Sequence, residues 1–199
     1  MELGSKLRWI LVIFILLFTL IFVGWGLSAI ARNIFNRPDT QVEDAESTAR
    51  PSLDGITSVR YIVDGPVVAT TDQRRYIIEV TPNAVTMRLY SDYGQKVIKE
   101  KTYSNNFAAY DAFLESLEEA NAAARYSGTT EEDDSADQGV CPDGRRYIIE
   151  IGDDTRRWTT SCNRKDGTAA GKMTTMRTLF SKQVPDFKDM ISGTTLGRQ

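Results

Sequence analysis

The chain contains no histidine. That absence removes Ser-His-Asp and Cys-His catalysis, His-ligated zinc and a proximal-His haem. Cysteine is nearly as scarce: Cys141 and Cys162 are the only two, too few for a four-thiolate zinc site. Positive charge is not in excess either. The 24 Lys and Arg stand against 27 Asp and Glu, a formal net charge of −3, which gives no electrostatic case for nucleic acid. No cofactor and no metal is expected. In Gly167-Thr168-Ala169-Ala170-Gly171-Lys172 the glycines lie too close for a phosphate loop, and Met173 rather than Ser or Thr follows the lysine. The acidic run Glu131-Glu132-Asp133-Asp134-Ser135-Ala136-Asp137 lacks the alternating ligands, central glycine and closing glutamate of a calcium loop. A solvated, mobile loop is expected over 127–139.

What the sequence does have is one long apolar run. From Trp9 to Ile30 there is no charged residue, and about 20 apolar residues suffice for a helix to cross the hydrocarbon core. Trp9 and Trp25 would lie about 24 Å apart along such a helix, suited to opposite headgroup regions. The expectation is a retained single-pass anchor in contact with the bilayer through residues 9–30. The alternative is a cleaved signal, with Lys6 and Arg8 before the apolar run and Ala29-Ile30-Ala31 as the cleavage site. Basic residues are nearly balanced across the span, Lys6 and Arg8 against Arg32 and Arg37. The short N-terminal flank and the cysteines favour an N-terminus inside and a body outside the cytoplasm. In an oxidising compartment Cys141 and Cys162 read as a disulfide.

The layout expected is an anchor over 1–35, a flexible polar linker over 36–57, an extracytoplasmic α+β domain over 58–192 and a tail over 193–199. Strands are expected at 59–63, 76–80, 85–90 and 96–103. The first hairpin aligns Tyr76 with Leu89, Ile78 with Met87 and Val80 with Val85, so six apolar side chains share one face. The Lys-rich strand 96–103 belongs at an edge. A second hairpin turning on Asp153-Asp154 would set Ile149 against Trp158, Tyr147 against Thr160 and Glu150 against Arg157. Two amphipathic helices, 106–124 and 172–183, are expected on the apolar face of an antiparallel sheet. Ser104 or Asn105 would cap the first, and Pro185 would stop the second ahead of a short turn at 186–191.

Arg74-Arg75-Tyr76-Ile77-Ile78-Glu79 recurs as Arg145-Arg146-Tyr147-Ile148-Ile149-Glu150. Duplication and chance both account for it. The four arginines, Arg74, Arg75, Arg145 and Arg146, form a candidate surface for an acidic partner.

One span, a polar linker, a β-rich body with two helices, the cysteine pair and the ending Leu179-Phe180 … Val184-Pro185-Asp186-Phe187 together resemble uncharacterised single-pass envelope proteins of bacteria. The resemblance rests on layout and brings no activity or site residues with it. The functional expectation is a non-catalytic binding or envelope-complex module with a protein partner in the envelope and no nucleic acid. Two alternatives stand beside it. One is an exported hydrolase using carboxylates drawn from Glu79, Glu150, Asp153 and Asp154. The other is a ligand-sensing subunit of a membrane complex.

Overall fold

Alternation of apolar and polar residues is what a half-buried strand requires, because successive side chains leave opposite faces. In the computed structural model, which describes residues 52–163, 166–194 and 196, that alternation builds a six-stranded sheet. The strands are β1 (Val59–Asp64), β2 (Arg75–Val80), β3 (Ala84–Ser91), β4 (Lys96–Ser104), β5 (Arg146–Ile151) and β6 (Thr155–Thr160). All pairings are antiparallel, in the order β4-β3-β2-β1-β5-β6. The helices are α1 (Phe107–Glu119), α2 (Met173–Lys182) and α3 (Phe187–Ile191). The body is an α+β domain. Among the described residues no helix is long and apolar enough to cross a membrane. The expected span 9–30, with Trp9 and Trp25, and the stretch 36–51 of the expected linker lie outside the described residues.

The first hairpin has the register expected, Tyr76–Leu89, Ile78–Met87 and Val80–Val85. These six, with Val59, Tyr61, Val63, Ile149 and Ile151, form one core beneath α1, α2 and α3. β4 is an exposed edge strand carrying Lys96, Lys99 and Lys101. Charge along an open edge discourages pairing with another chain. Leu53, placed by sequence in the linker, is 4 % exposed, and Leu196, placed in the tail, is 7 % exposed; both belong to this core.

The second hairpin departs from expectation by one residue. Three residues, Gly152 to Asp154, make the loop, so Ile148 faces Trp158, Tyr147 faces Thr159 and Glu150 faces Arg156. Gly152 adopts φ 59°, the left-handed residue of a three-residue hairpin loop. A one-residue slip exchanges the two faces of a strand. Trp158 therefore leaves the main core and packs with Ile62 and Ile148 on the opposite side of the sheet.

β1 occupies the centre for a reason visible in its own residues. Arg60-Tyr61-Ile62-Val63-Asp64 repeats the Arg-Tyr-Ile-aliphatic-acid pattern of β2 and β5. Laid antiparallel, such a pattern sets each arginine opposite an acid. Arg60 faces Glu79 on one side and Glu150 on the other, and Asp64 faces Arg75 and Arg146. Opposite charges directly across a ladder stabilise it, and like charges oppose it.

α1 is shorter than expected and begins at another cap. Asn106, rather than Ser104 or Asn105, accepts the Ala109 N–H through its side chain at 3.0 Å. Phe107 is 66 % exposed, whereas Tyr110, Phe113, Leu114 and Leu117 are buried. The helix ends at Glu119 because Asn121 takes φ 54°. Asn121 N–H then reaches Glu118 O at 2.8 Å and Ala122 N–H reaches Leu117 O at 3.0 Å, a pair of bonds that closes a helix and turns the chain away. Pro185 follows α2, and α3 supplies the short turn expected there.

Cys141 and Cys162 are bonded, with Cα atoms 5.5 Å apart. Gly144 sits inside this clasp; a Cβ there would collide with Cys141 Sγ and Ser161 Oγ. Closing a loop of 21 residues stabilises the body by about 3 kcal/mol through the unfolded chain. Reduction is accordingly expected to lower the thermal midpoint by roughly 6–12 °C. Melts with and without a thiol reductant check this, and an unchanged midpoint would contradict it.

Several phenols are buried or hydrogen-bonded. Burial pushes Tyr61 well above its usual 10.0, and Tyr103 is pushed up to about 12 by burial and by its bond to Asp186. Between those values the folded chain holds protons that the unfolded chain has lost. Stability is therefore unaffected by these groups below their usual value and falls as pH rises through the raised one. Denaturant midpoints at about pH 8 and about pH 11 are expected to differ, the higher pH being weaker, and Tyr103→Phe to reduce the difference.

Candidate functional site

The four candidate arginines are each engaged within the body. Arg75 holds Asp64 through Nε and through Nη2 at 2.9 Å, and Arg146 Nη2 holds the same carboxylate at 2.9 Å. Arg74 Nη1 donates to the carbonyls of Thr71 and Gln73. Arg145 is buried and donates from Nε to Leu196 O at 2.5 Å. Of the candidate acids, Glu150 pairs with Arg60 at 3.0 Å and with Arg156 at 3.4 Å, and Glu79 lies 3.5 Å from Arg88. Asp153 and Asp154 are exposed at the tip of the β5–β6 hairpin.

The acidic loop is not the solvated segment that its composition suggested. It wraps the edge of β6, whose Arg156-Arg157-Trp158 run supplies the complementary groups. Asp134 binds Arg157 at 2.9 Å and also Arg125, and Asp137 binds Arg156 at 2.9 Å. Trp158 Nε1 donates to Asp133 O at 2.7 Å. Asp134 and Asp137 are both buried. The signal was present in sequence as an acidic run and a basic one, but their contact is tertiary. Among the described residues no group of three or more His, Cys, Asp or Glu side chains is placed to hold a metal.

The turn after Asn121 has a second consequence. It lays residues 122–126 beside the segment 168–172: Ala170 N–H bonds Ala124 O at 3.0 Å, Tyr126 N–H bonds Thr168 O at 3.0 Å and Lys172 N–H bonds Ala120 O at 2.8 Å. Gly171 is needed for that approach, because a Cβ would run into the carbonyl oxygens of Ala120 and Asn121. The start of α2 is thereby fixed over the ends of β5 and β6, and a cleft of about 440 Å³ opens between them. Its floor includes Tyr61, its strand side Tyr147, Thr160 and Ser161, and its helix side Lys172, Thr174 and Arg177. Thr174 and Arg177 fall three residues apart and so share a helix face.

The electrostatics of this cleft are one-sided. Among the described residues it is lined by two cations and several hydroxyls and by no carboxylate. Among the described residues neither Lys172 nor Arg177 has a carboxylate or carbonyl partner for its side chain. Lys172 occupies the N-cap of α2 without a capping side-chain bond. A Ser or Asp there would satisfy a first-turn N–H; Met173 N–H instead turns back to Gly171 O at 2.9 Å, and the N–H groups that follow have no side-chain cap, so that end of the helix keeps its partial positive charge. Tyr61 is 0 % exposed, and its hydroxyl has no hydrogen-bond partner. A buried polar atom left unpaired is costly, and the Tyr61 hydroxyl shares that state with the Tyr110 hydroxyl of α1.

A second cleft of about 530 Å³ lies between residues 52–57 and one face of α1. Its charged lining is acidic: Asp54, Asp111, Glu115 and Glu118. Glu118 already accepts the Leu53 N–H at 2.6 Å. Glu79 and Glu150 line neither cleft.

The sequence pointed toward the α2 cleft only in the glycine- and lysine-containing stretch 167–172, set aside there for its wrong phosphate-loop spacing. Tyr61, Tyr147 and Arg177 carried no signal of a shared site, because strand ends and a distant helix are brought together only by the fold. No family model, no curated protein and no solved structure matches the chain.

Proposed function

We propose that this is a membrane-tethered protein whose body, outside the cytoplasm, is a binding module that holds a ligand in the α2 cleft without transforming it. The observation that carries the proposal is the lining of that cleft, in which two cations and a buried hydroxyl lack partners. Such a lining supplies donors to a bound group. Among the described residues it offers no neutral base or carboxylate with which to activate water. The tether rests on the uncharged run 9–30, and the compartment on the pairing of Cys141 with Cys162, which suits an oxidising environment.

Thermal melting of the full chain in detergent against a panel of anionic, neutral and cationic small molecules tests the binding role. A concentration-dependent rise in midpoint is expected for a subset, with every panel member recovered chemically unchanged. Turnover of any of them by the protein would overturn the non-catalytic role. Thiol alkylation in intact cells tests the compartment: Cys141 and Cys162 should resist labelling until reductant is added.

A further inference from the structure

Resting on the binding role proposed above, we infer that the α2 cleft takes an organic phosphate monoester, its phosphate held by Lys172, Arg177 and the first turn of α2. Three features converge on that chemistry. The two cations have no anionic partner among the described residues, and both line the cleft, Lys172 from the N-cap of α2 and Arg177 from the middle of that helix. The start of α2 carries no side-chain cap and borders the same cleft, and an anion completes a helix end as a capping oxygen would. Beneath them the unpartnered Tyr61 hydroxyl supplies a donor from the sheet.

Donors thus approach from the helix, from two flexible cations and from the strand side. A carboxylate has two oxygens in one plane. A phosphate monoester presents three terminal oxygens in a tetrahedron and carries nearly two charges at neutral pH, so it can use donors from all three directions. The cleft, at about 440 Å³, is far larger than a phosphate group. The remaining space, beside Tyr147 and Met173, accommodates an organic body. A soluble phosphate ester and a lipid with a terminal phosphate share this chemistry.

The test uses the full chain in detergent micelles. Glycerol 3-phosphate, inorganic phosphate, acetate and glycerol are titrated calorimetrically, and the protein is co-sedimented with phosphatidylcholine vesicles with and without phosphatidic acid. Saturable binding of glycerol 3-phosphate, or sedimentation that depends on phosphatidic acid, is expected; the first indicates a soluble source and the second a lipid one. Arg177→Gln and Lys172→Gln should each weaken binding about tenfold with an unchanged thermal midpoint, since both side chains are exposed. Tyr61→Phe should weaken it a few-fold and reduce the response to added salt little, since no charge is lost. If acetate or glycerol binds in the cleft and the phosphates do not, the phosphate assignment fails and the binding role survives. If phosphate binding is indifferent to Arg177→Gln and Lys172→Gln, the site is misplaced. If nothing in the panel binds, the phosphate assignment fails, and the wider melting panel decides the binding role separately.

Discussion

Asp64→Ala is expected to destabilise the body by about 3–5 kcal/mol, at the lower end of that range. The carboxylate is 1 % exposed and receives donors from Arg75 and Arg146, the corresponding residues of the two flanking strands. Deleting it leaves two half-buried guanidinium groups facing each other across the central strand with nothing between them. Solvent reaches both arginines in part, which holds the cost near the lower figure. Asp64 also raises the Arg75 pKa, chiefly through their hydrogen bond. Denaturant titration of the oxidised protein measures the loss. A cost under about 1 kcal/mol would mean that the cluster is no more than a surface ion pair. Asp64→Asn, which keeps the shape and removes the charge, should fall between the two.

Phe180→Ala is expected to cost about 3–5 kcal/mol as well, for an unrelated reason. Phe180 is 0 % exposed and joins α2 to the rest of the core. Its ring stacks on Tyr61 at 5.1 Å and meets the edge of Phe113 of α1 at 5.1 Å. Truncation opens a cavity where helix, helix and sheet meet, and it removes two aromatic contacts worth about 0.5–1.5 kcal/mol each beyond their area. Because Phe180 seats the helix that carries Lys172 and Arg177, the same substitution should also weaken ligand binding. Phe180→Leu should lose less than half as much of the stability, and a cost for Phe180→Ala below about 1.5 kcal/mol would show that α2 is not anchored here.

Much of the sheet was legible because it is local. The β2–β3 hairpin was fixed by two alternating runs and the turn between them, and its register came out residue for residue. The β5–β6 register did not. Both Asp153-Asp154 and Gly152-Asp153-Asp154 close a hairpin on local criteria, and the side on which Trp158 packs decides between them. α1 was read too long because residues 120–124 keep helical spacing of apolar side chains, yet Asn121 takes a left-handed backbone and reverses the chain. The acidic loop was misread because composition reports solvation only when no partner is near, and Arg156 and Arg157 are adjacent only in the fold.

The recurring Arg-Tyr-Ile-Ile-Glu looked like a repeat of two. The structure gives it a third member, Arg60-Tyr61-Ile62-Val63-Asp64, sandwiched between the others. That relation was present in the residues, since an arginine at one end and an acid at the other make the pattern complementary to itself when reversed. What pairing adds is the burial of Asp64 between two arginines, which turns a surface motif into part of the frame.

By itself, then, the sequence determined the local matters: an uncharged run long enough for a bilayer, two cysteines and no histidine, alternating strands and amphipathic helices. Each follows from spacing along the chain and needs no neighbour. Tertiary structure alone decided which arginines face one another across Asp64, where the acidic loop docks and that the start of α2 stands over Tyr61 and Tyr147. Those outcomes depend on groups far apart in sequence, whose charges and hydrogen bonds acquire meaning only when folding removes the water between them.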